Sequence, residues 1–397
     1  MLTKVLIYSH EFAPQIGGVE SYVWLLAEGL AGRLENAPQV TVATPTPAGG
    51  MDDKALPFRV VREPRLATLL QLILHTDLIH LVGPSLVPMF LGFLCGKVVT
   101  VEHHGYPPVC PNGLLVYEPD GTVCPGHFMA GRYHRCIRCN ASDEGWVKSA
   151  FKLISAFPRR WLVKRACANI CITHHVSRRL QLPRARVVYY GVGDFDAANR
   201  LDRNPDGSAP FCFAYVGRLV SLKGLPLLVD AAQRLKNEGF GFRLKFIGDG
   251  PERRSLEKLV EDRGLCGETV FTGSRKGQEL ERLMHGVNAV VMPSVWEETA
   301  GLAAIEQMMR GKLVIAANIG GLGEVVGEAG LLFPAGDAQA LAACLKRALD
   351  SPDLTKQLGV KARQRALSMF RQDEMVKNHL LQWQALVGAT RGVRLAA

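Results

Sequence analysis

Long uninterrupted apolar runs are missing from this 397-residue sequence. The longest apolar stretch, residues 78–101, is broken by a histidine, glycines, prolines and a lysine, so it predicts a buried strand, loop and helix rather than a membrane span. The first residues lead straight into the β-rich run 5–8 and contain neither a long apolar region nor a small-residue cleavage site. We therefore expect no secretory signal and a cytoplasmic location.

Internal repeats, low-complexity tracts and the motifs of nucleic-acid-binding folds are also missing. The chain has 47 basic and 37 acidic residues, a net charge of +10, which suits nucleic acid, an anionic membrane face or a phosphorylated substrate. It contains no helix-turn-helix pattern, no RNP-type aromatic motif and no basic run interleaved with aromatics. We expect no nucleic-acid partner, and a nucleic-acid-binding protein is kept as the alternative from another class.

The sequence does contain a regular alternation of short β-rich runs with longer helical patterns. This alternation predicts an α/β protein with parallel sheets covered by helices, and the length predicts two domains. Ligands bind at the carboxyl ends of the strands in such sheets, so we expect two Rossmann-like domains facing each other across a cleft. The predicted limits are a first domain over residues 1–193, a turn-rich linker over 194–210, a second domain over 211–369, and a helix over 370–397 that packs back on the first domain.

The strongest signal for chemistry lies in residues 293–306, where a strand end and a short loop lead into a helix. The segment carries two acids, Glu298 and Glu306. Free N–H groups and the dipole at the start of the helix suit a diphosphate. The residues that supply these N–H groups are Thr299, Ala300, Gly301 and Leu302. The structural alternative is a solvated loop acid followed by a surface helix residue.

This segment resembles the Glu-x7-Glu signature of the GT4 family of retaining glycosyltransferases, which belongs to glycosyltransferase group 1. The resemblance covers nearly the whole chain and is strongest over residues 213–345. It implies the GT-B fold, with an N-terminal acceptor-binding domain and a C-terminal nucleotide-sugar-binding domain. It also implies that Glu298 contacts the transferred sugar and that Glu306 contacts the ribose.

Two cations follow the first strand of the second domain. Arg218 and Lys223 resemble the two basic residues with which the family binds the diphosphate. Arg218 would supply a forked hydrogen-bond donor and Lys223 a point charge. Gly248 follows the next strand, where a glycine lets the backbone approach a ligand closely. Preorganised cations can stabilise the departing diphosphate without a metal, so we expect no cofactor for catalysis. The alternative is a pair of exposed basic residues and an ordinary turn.

The first domain has two matching features. Gly17 and Gly18 stand between the first strand and a helix and resemble the family's N-terminal loop, although a double glycine alone is often a tight turn. The resemblance makes His104 the active-site member of an adjacent histidine pair; the alternative is a structural histidine. Gly105 stands where relatives commonly carry aspartate, so an acidic acceptor contact is not expected there.

The resemblance implies an enzyme that transfers a sugar from a nucleotide-sugar donor to a saccharide or lipid-linked acceptor, in polysaccharide or glycolipid synthesis. The resemblance also implies that the acceptor attacks from the face that the diphosphate leaves and that the β-phosphate of the donor helps take its proton. No side-chain nucleophile is evident. A nucleotide-sugar epimerase or a sugar phosphorylase on the same fold is the alternative enzyme. The base, the sugar and the acceptor are not specified by the residues.

Aromatic and basic residues alternate over residues 146–165. This composition suits an anionic membrane interface and predicts peripheral contact with the inner face of the membrane, with packing against its own domain as the alternative. Pro158 is expected to interrupt the helix.

Four of the ten cysteines fall in an insertion over residues 106–140, which is rich in proline and glycine and poor in periodic apolar positions. The last two have the Cys-x2-Cys spacing that lets two thiolates bind one tetrahedral ion. A structural Zn²⁺ would fix this insertion, without a catalytic role because four thiolates leave no open position. Disulfides and free thiols are the alternatives. The candidate ligands are Cys110, Cys124, Cys136 and Cys139.

Overall fold

A computed structural model describes residues 2–15, 17–32, 37–195 and 210–396. The chain divides by its internal contacts into two compact units, one of Met1–Gly191 with Arg371–Ala397 and one of Val192–Phe370. Most of the predicted linker, residues 196–209, lies outside the described residues.

The first unit is built on a parallel sheet. The strands of this sheet are β1 (Lys4–Ser9), β2 (Gln39–Thr44), β3 (Arg59–Arg62), β4 (Leu78–Val82), β5 (Val98–His103), β8 (Ala168–Cys171) and β9 (Ala185–Val187). A separate antiparallel hairpin is formed by β6 (Val116–Tyr117) and β7 (Thr122–Val123). The strand order is β3-β2-β1-β4-β5-β8-β9. Every residue of β4 and β5 is buried, as expected for central strands covered by helices on both faces.

The helices of this part of the chain are α1 (Gly18–Gly32), α2 (Leu66–Leu74), α3 (Leu86–Leu94), α4 (Tyr133–Glu144), α5 (Trp146–Val163) and α6 (His174–Leu180). Helix α5 continues through Pro158, so the predicted interruption is wrong. The missing N–H of a proline leaves the carbonyl four residues earlier without its helical donor. Here that carbonyl belongs to Ile154, which is 66% exposed, so it lies on the side of the helix that water reaches.

The insertion over residues 106–140 has more of a core than its composition predicts. Apolar side chains from its whole length are buried, and they are Tyr106, Val109, Leu115, Val116, Tyr117 and Phe128. Phe128 and Cys136 pack with Leu153 and Ala156 of α5, so the insertion is anchored on that helix.

The second unit repeats the architecture. Its strands are β10 (Phe211–Val216), β11 (Phe242–Ile247), β12 (Thr269–Gly273), β13 (Ala289–Met292), β14 (Leu313–Ala317) and β15 (Leu331–Phe333), in the parallel order β12-β11-β10-β13-β14-β15. Its helices are α7 (Leu225–Asn237), α8 (Arg253–Asp262), α9 (Gly277–Met284), α10 (Leu302–Met309), α11 (Gly320–Val326), α12 (Ala338–Asp350) and α13 (Pro352–Met369). The predicted pair of Rossmann-like domains is confirmed.

The last helix, α14 (Gln372–Ala396), returns to the first unit. It packs against α1, where a Cβ on Gly29 would lie 2.6 Å from Val376 Cγ2. Trp383 of α14 is fully buried. Within the part of the chain that the structure describes, no helix combines the length and the apolarity that crossing a membrane requires.

Candidate active site

An ion pair joins two loops at the carboxyl edge of the second sheet. Lys223, in the loop after β10, places Nζ 2.8 Å from Oε1 of Glu298, in the loop after β13. Ser294 donates its hydroxyl to the same carboxylate oxygen. Glu298 is only 4% exposed, so its carboxylate is held in one position.

Backbone contacts hold these two loops together. Val295 N donates to Leu222 O at 3.1 Å. Gly224 has a φ of +63°, and a Cβ there would lie 2.1 Å from Pro293 O. Only glycine adopts this conformation and leaves room for that carbonyl, so Gly224 is what allows the two loops to meet.

Helix α10 begins directly after the second loop. Its first residue is Leu302, preceded by Gly301 at a φ of +82° and by the buried Ala300. Gly301 has no side chain to cap the helix, so the first N–H groups are left for another acceptor. A Cβ on Gly301 would lie 3.8 Å from Glu298 Oε2, which places the helix terminus beside that carboxylate. Thr299 belongs to the same turn, so the predicted stretch from Thr299 to Leu302 comprises the end of this loop and the first residue of α10.

Glu306 and Arg218 lie near the start of α10 and in the loop after β10, and their charged groups form no ion pair with a described residue. Glu306 lies on the second turn of α10; burial raises the pKa of its carboxyl, and Arg310 opposes that rise. Arg218 is exposed in the loop after β10. Neither side chain makes a hydrogen bond or an ion pair with another described residue, whereas Arg310 is paired with Glu281. Both groups are therefore available to a ligand.

Gly248 stands at the end of β11, against the end of β10. A Cβ on Gly248 would lie 1.8 Å from Gly217 O, and its φ is +155°. A glycine at this position therefore allows the backbone at the end of β11 to approach the backbone at the end of β10. The structure shows no contact that assigns Gly248 to a ligand.

In the first unit, His104 lies just beyond the end of β5. Its Nδ1 is 2.6 Å from the Tyr190 hydroxyl, and its ring centroid is 4.5 Å from that of Tyr22. Burial lowers the pKa of His104 to about 4, although the carboxylate of Glu102 opposes this. The ring is therefore neutral at pH 7. Its Nε2 is buried and has no hydrogen-bond partner among the described residues.

A buried carboxylate sits behind His104. Oε2 of Glu102 lies 2.9 Å from His80 Nε2 and 3.2 Å from His379 Nε2, and Tyr22 donates its hydroxyl to it. His379 comes from α14, and its Nδ1 lies 2.8 Å from Met375 O, so both of its ring nitrogens face oxygen acceptors.

The histidines around Glu102 keep it charged. Burial alone would raise the pKa of Glu102, but His379, His80 and His104 hold it well below its usual value. Of the described side chains, His80, Glu102 and His379 are the one group of three metal-ligating residues whose ligand atoms all lie within 4.8 Å of one another. Hydrogen bonds account for the contacts in this group.

Gly17 and Gly18 lie at the start of α1. A Cβ on Gly17 would lie 2.4 Å from Glu20 Oε2, so the glycine leaves room for the Glu20 carboxylate to fold back. Gly18 is the first residue of the helix and is exposed. Gly17, Gly18 and His104 thus belong to the first unit, and the other predicted catalytic and substrate-binding residues belong to the second.

The four cysteines of the insertion line one cavity of about 10 Å³, together with Asn112 and His127 among others. None is more than 6% exposed, and none forms a disulfide. Burial raises the pKa of Cys136 to about 12 and that of Cys139 to about 11, and the neighbouring thiols add to both. In the described structure no three of the four sulfur atoms lie within 4.8 Å of one another.

Residues 201–365 match the family model of the glycosyl transferases group 1. An uncharacterized glycosyltransferase of Methanocaldococcus jannaschii is 30% identical over 267 residues, which are 65% of this chain and 67% of that protein. The chain belongs to the group 1 glycosyl transferases. A group 1 relative, the 2-deoxystreptamine glucosyltransferase of Streptomyces kanamyceticus, is 34% identical over 210 residues, 49% of this chain and 54% of the relative. The chain thus aligns with little more than half the length of that relative.

The fold of this group 1 chain is that of solved GT-B proteins. HepE of Anabaena in complex with UDP superimposes with a TM-score of 0.72 over 96% of this chain and 100% of HepE, at 18% identity. The predicted group 1 membership and GT-B architecture are confirmed.

Sequence reasoning missed three residues of the buried network in this group 1 chain: Glu102, His80 and His379. The one available signal was an acid near the end of the apolar pattern of β5, directly before the histidine pair. Ser294 was also missed, although it lies two residues after the end of the buried strand β13.

Proposed function

We propose that this group 1 glycosyl transferase moves a sugar from a nucleoside diphosphate to an acceptor hydroxyl with retention of configuration at the sugar. The observation that carries the proposal is the meeting of Lys223, Glu298 and the start of α10 where the strand order reverses between β10 and β13. Ligands of doubly wound sheets bind at such a reversal. HepE, which has the same fold, is solved with UDP, and this supports a nucleotide as the ligand.

Each predicted residue has a role in this proposal. Arg218, Lys223 and the N–H groups at the start of α10 hold the diphosphate, since all three present positive charge at one edge of the sheet. Glu298 accepts hydrogen bonds from the transferred sugar, and Glu306 accepts them from the ribose. His104, with its neutral ring just beyond the end of β5, contacts the acceptor or the transferred sugar.

In the proposed reaction the bond between the anomeric carbon and the diphosphate oxygen breaks as the acceptor oxygen bonds to that carbon from the same face. The acceptor proton passes to the β-phosphate oxygen of the leaving diphosphate. Negative charge grows on that oxygen, and fixed positive groups stabilise it with little reorganisation. The reaction thus needs no nucleophilic side chain and no catalytic metal.

The test is incubation of the purified protein with UDP-, GDP- and ADP-sugars, with and without a panel of saccharide and lipid-linked acceptors. We expect acceptor-dependent release of one nucleoside diphosphate, insensitive to brief EDTA treatment, and a retained anomeric configuration by NMR. Conversion of the nucleotide-sugar without an acceptor would identify an epimerase instead. An inverted product or strict Mg²⁺ dependence would contradict the proposed mechanism.

We also propose that the protein contacts an anionic membrane through α5, at its cytoplasmic face. Large apolar side chains of α5 are exposed, with Trp146 at 67%, Phe151 at 72% and Trp161 at 54%. Lys148 and Lys152 lie on the neighbouring face of the helix, and this combination suits an anionic lipid interface. Such contact would fit a role in glycolipid or polysaccharide synthesis.

Sedimentation with anionic and neutral liposomes at low salt tests this contact. We expect the wild type to sediment with anionic liposomes and the double variant Phe151→Ser, Ile154→Ser to stay in solution. Val360→Ser, which removes an apolar side chain that is 54% exposed in the second unit, is the matched control. Equal sedimentation of the three proteins would contradict the proposal.

Finally, we propose that Cys110, Cys124, Cys136 and Cys139 hold a structural Zn²⁺. The cavity that they line has room for about one water-sized sphere, and a cation would stabilise thiolates that burial otherwise disfavours. Closure of the thiols around the ion would shorten the distances between their sulfur atoms. We expect about one equivalent of zinc in protein purified without chelator, its loss in Cys136→Ser, and its retention in the exposed control Cys266→Ser. Four freely titrating thiols and no zinc in the native protein would exclude the site.

A further inference from the structure

A pocket of about 410 Å³ opens in the first unit, at the carboxyl edge of its own sheet. Its walls are the loops that follow β1, β4 and β5, together with one face of α5. The strand order of this sheet reverses between β1 and β4, so the pocket occupies the position where doubly wound sheets bind their ligands. His104 is one of its lining residues.

Two polar atoms in this wall are buried without a partner. They are Ser85 Oγ and His103 Nδ1, and neither is hydrogen-bonded to a described residue. Ser85 is 5% exposed and His103 is fully buried. A third atom, His104 Nε2, makes no hydrogen bond but lies 3.6 Å from Glu102 Oε1. A buried polar atom without a hydrogen bond destabilises the folded protein, so a wall with two such atoms suits a polar ligand.

The charge of the pocket favours an anion. Arg159 of α5 lines it, is half-buried, and makes no hydrogen bond or ion pair within the described ranges. Its charge reaches the pocket interior, because burial and then Arg159 lower the pKa of His10, another lining residue. Lys152 also lines the pocket and is paired with Glu144 at 2.7 Å. Glu11, exposed at the rim, carries the opposite charge, which adds to burial in raising the pKa of Tyr190.

Helix α3 adds a second positive element. Ser85 is its N-cap residue, and the nine residues of α3 begin directly behind the pocket wall. The first N–H groups of a helix have no carbonyl within the helix to bond, and they carry the positive end of the helix dipole. A forked guanidinium, a free hydroxyl and a helix N-terminus together match the oxygen atoms of a phosphate group.

Helix α5 connects this pocket to an apolar surface. Lys152 and Arg159, seven residues apart, turn toward the pocket, and Phe151 and Ile154 project from the neighbouring face, 72% and 66% exposed. Helix α3, which packs on α5, exposes Phe90 at 56% and Leu94 at 72%. A ligand with a phosphate in the pocket would therefore find apolar surface directly beside it.

We propose that this pocket binds the phosphate group of a lipid phosphate, so that the acceptor in the proposed transfer reaction is carried on a lipid through phosphate. The inference rests on the proposed function for the identity of the pocket as the acceptor site. Arg159, Ser85 and the start of α3 hold the phosphate, and the exposed faces of α5 and α3 accommodate the hydrocarbon. The acceptor hydroxyl then lies toward His104.

The test is calorimetric titration with farnesyl phosphate, farnesol and inorganic phosphate, below the concentration at which the lipids aggregate. The first two share one hydrocarbon chain and differ in the phosphate. We expect wild-type protein to bind farnesyl phosphate at least tenfold more tightly than either other probe. Arg159→Gln should weaken this binding at least tenfold, whereas Arg254→Gln, which removes the same charge from an exposed position of the second unit, outside the pocket, should change it less than twofold.

Other outcomes separate this inference from the proposed function. Equal binding of farnesyl phosphate and farnesol, or equal binding by wild type and Arg159→Gln, overturns the phosphate site. Binding of inorganic phosphate as tight as that of farnesyl phosphate overturns the lipid. If Arg159→Gln does not fold, Ser85→Ala tests the same site, because it should also weaken the binding of farnesyl phosphate. Binding of nucleoside diphosphates, whose proposed site is in the second unit, is measured on the same samples, so either proposal can fail while the other stands.

Discussion

Lys223 and Glu298 form an ion pair of 2.8 Å between the loop after β10 and the loop that leads into α10. Glu298 is buried, and its other contacts come from Ser294 and from Gly321 N, which donates to its backbone carbonyl at 2.6 Å. The ammonium group is thus held at the edge of the sheet before any ligand arrives. Such preorganisation is what allows a fixed charge to stabilise a leaving diphosphate.

Replacing Arg218 by Ala or Glu306 by Gln should lower kcat/KM for sugar transfer by about 10²-fold or more, the scale for one preorganised charge-stabilising group. Neither side chain has a partner in the described structure, so the fold should stay intact by circular dichroism. Arg254→Ala, which removes an exposed arginine from α8, is the control and should leave kcat/KM within about twofold. Wild-type kcat/KM in both site variants would disprove the site assignment.

Gly224→Ala should destabilise the protein by about 3 kcal/mol or more, because its Cβ would lie 2.1 Å from Pro293 O. Gly286→Ala is the matched control: its φ is +69°, close to the +63° of Gly224, but a Cβ there meets nothing within 4 Å. It should cost only the backbone strain, about 1 kcal/mol. The free energies of unfolding in urea separate the two effects, and equal losses would show that the loops do not depend on this close approach.

His379→Phe should destabilise the native state by about 3 kcal/mol, since it leaves the buried Glu102 carboxylate without one of its hydrogen-bond partners. Lys377→Gln, on the exposed face of the same helix, should change the free energy of unfolding by less than about 0.5 kcal/mol. The double variant with Glu102→Gln should lose less than the sum of the two single losses. Strict additivity would mean that the two residues do not interact.

Stability should fall as the pH drops from about 6.5 to 4, because burial lowers the pKa values of His103 and His104 to about 4. In this window the unfolded chain binds protons that the folded chain excludes, at about 1.4 kcal/mol per pH unit for each histidine. Urea unfolding at pH 7.5 and pH 5.5 measures the loss. The loss should be smaller by about 1 kcal/mol in His104→Asn, and an unchanged pH dependence in that variant would contradict the prediction.

Local sequence patterns predicted the parts of the molecule that depend on local interactions. Alternating β-rich and helical patterns gave two parallel sheets, and the segment 293–306 gave a loop that leads into a helix, because both depend on periodicity and on turn residues. The four cysteines of the insertion, which the sequence grouped as candidate ligands, line one cavity in the structure. These residues are neighbours in the chain or share one short insertion.

These local patterns could not predict contacts between residues that are far apart in the sequence. The hydrogen bond between Glu102 and His379 joins residues 277 positions apart, and no periodicity connects them. The continuity of α5 through Pro158 was also missed, because the propensity of proline to break a helix is a local rule that solvent exposure on one side of the helix offsets. The pocket beside His104 was missed because its walls come from three loops and from α5, which are far apart in the sequence.

The central claim is that Arg218, Lys223 and the start of α10 bind a nucleoside diphosphate. Thermal unfolding with UDP, GDP, ADP and their sugar derivatives tests it most directly, since a ligand at 100 times its dissociation constant stabilises the folded state by about 2.7 kcal/mol. We predict that one nucleotide series raises the Tm of the wild type and of Arg254→Ala, and that Arg218→Ala loses most of this rise. If none of the nucleotides shifts the Tm of the wild type at millimolar concentration, the proposed donor site is contradicted.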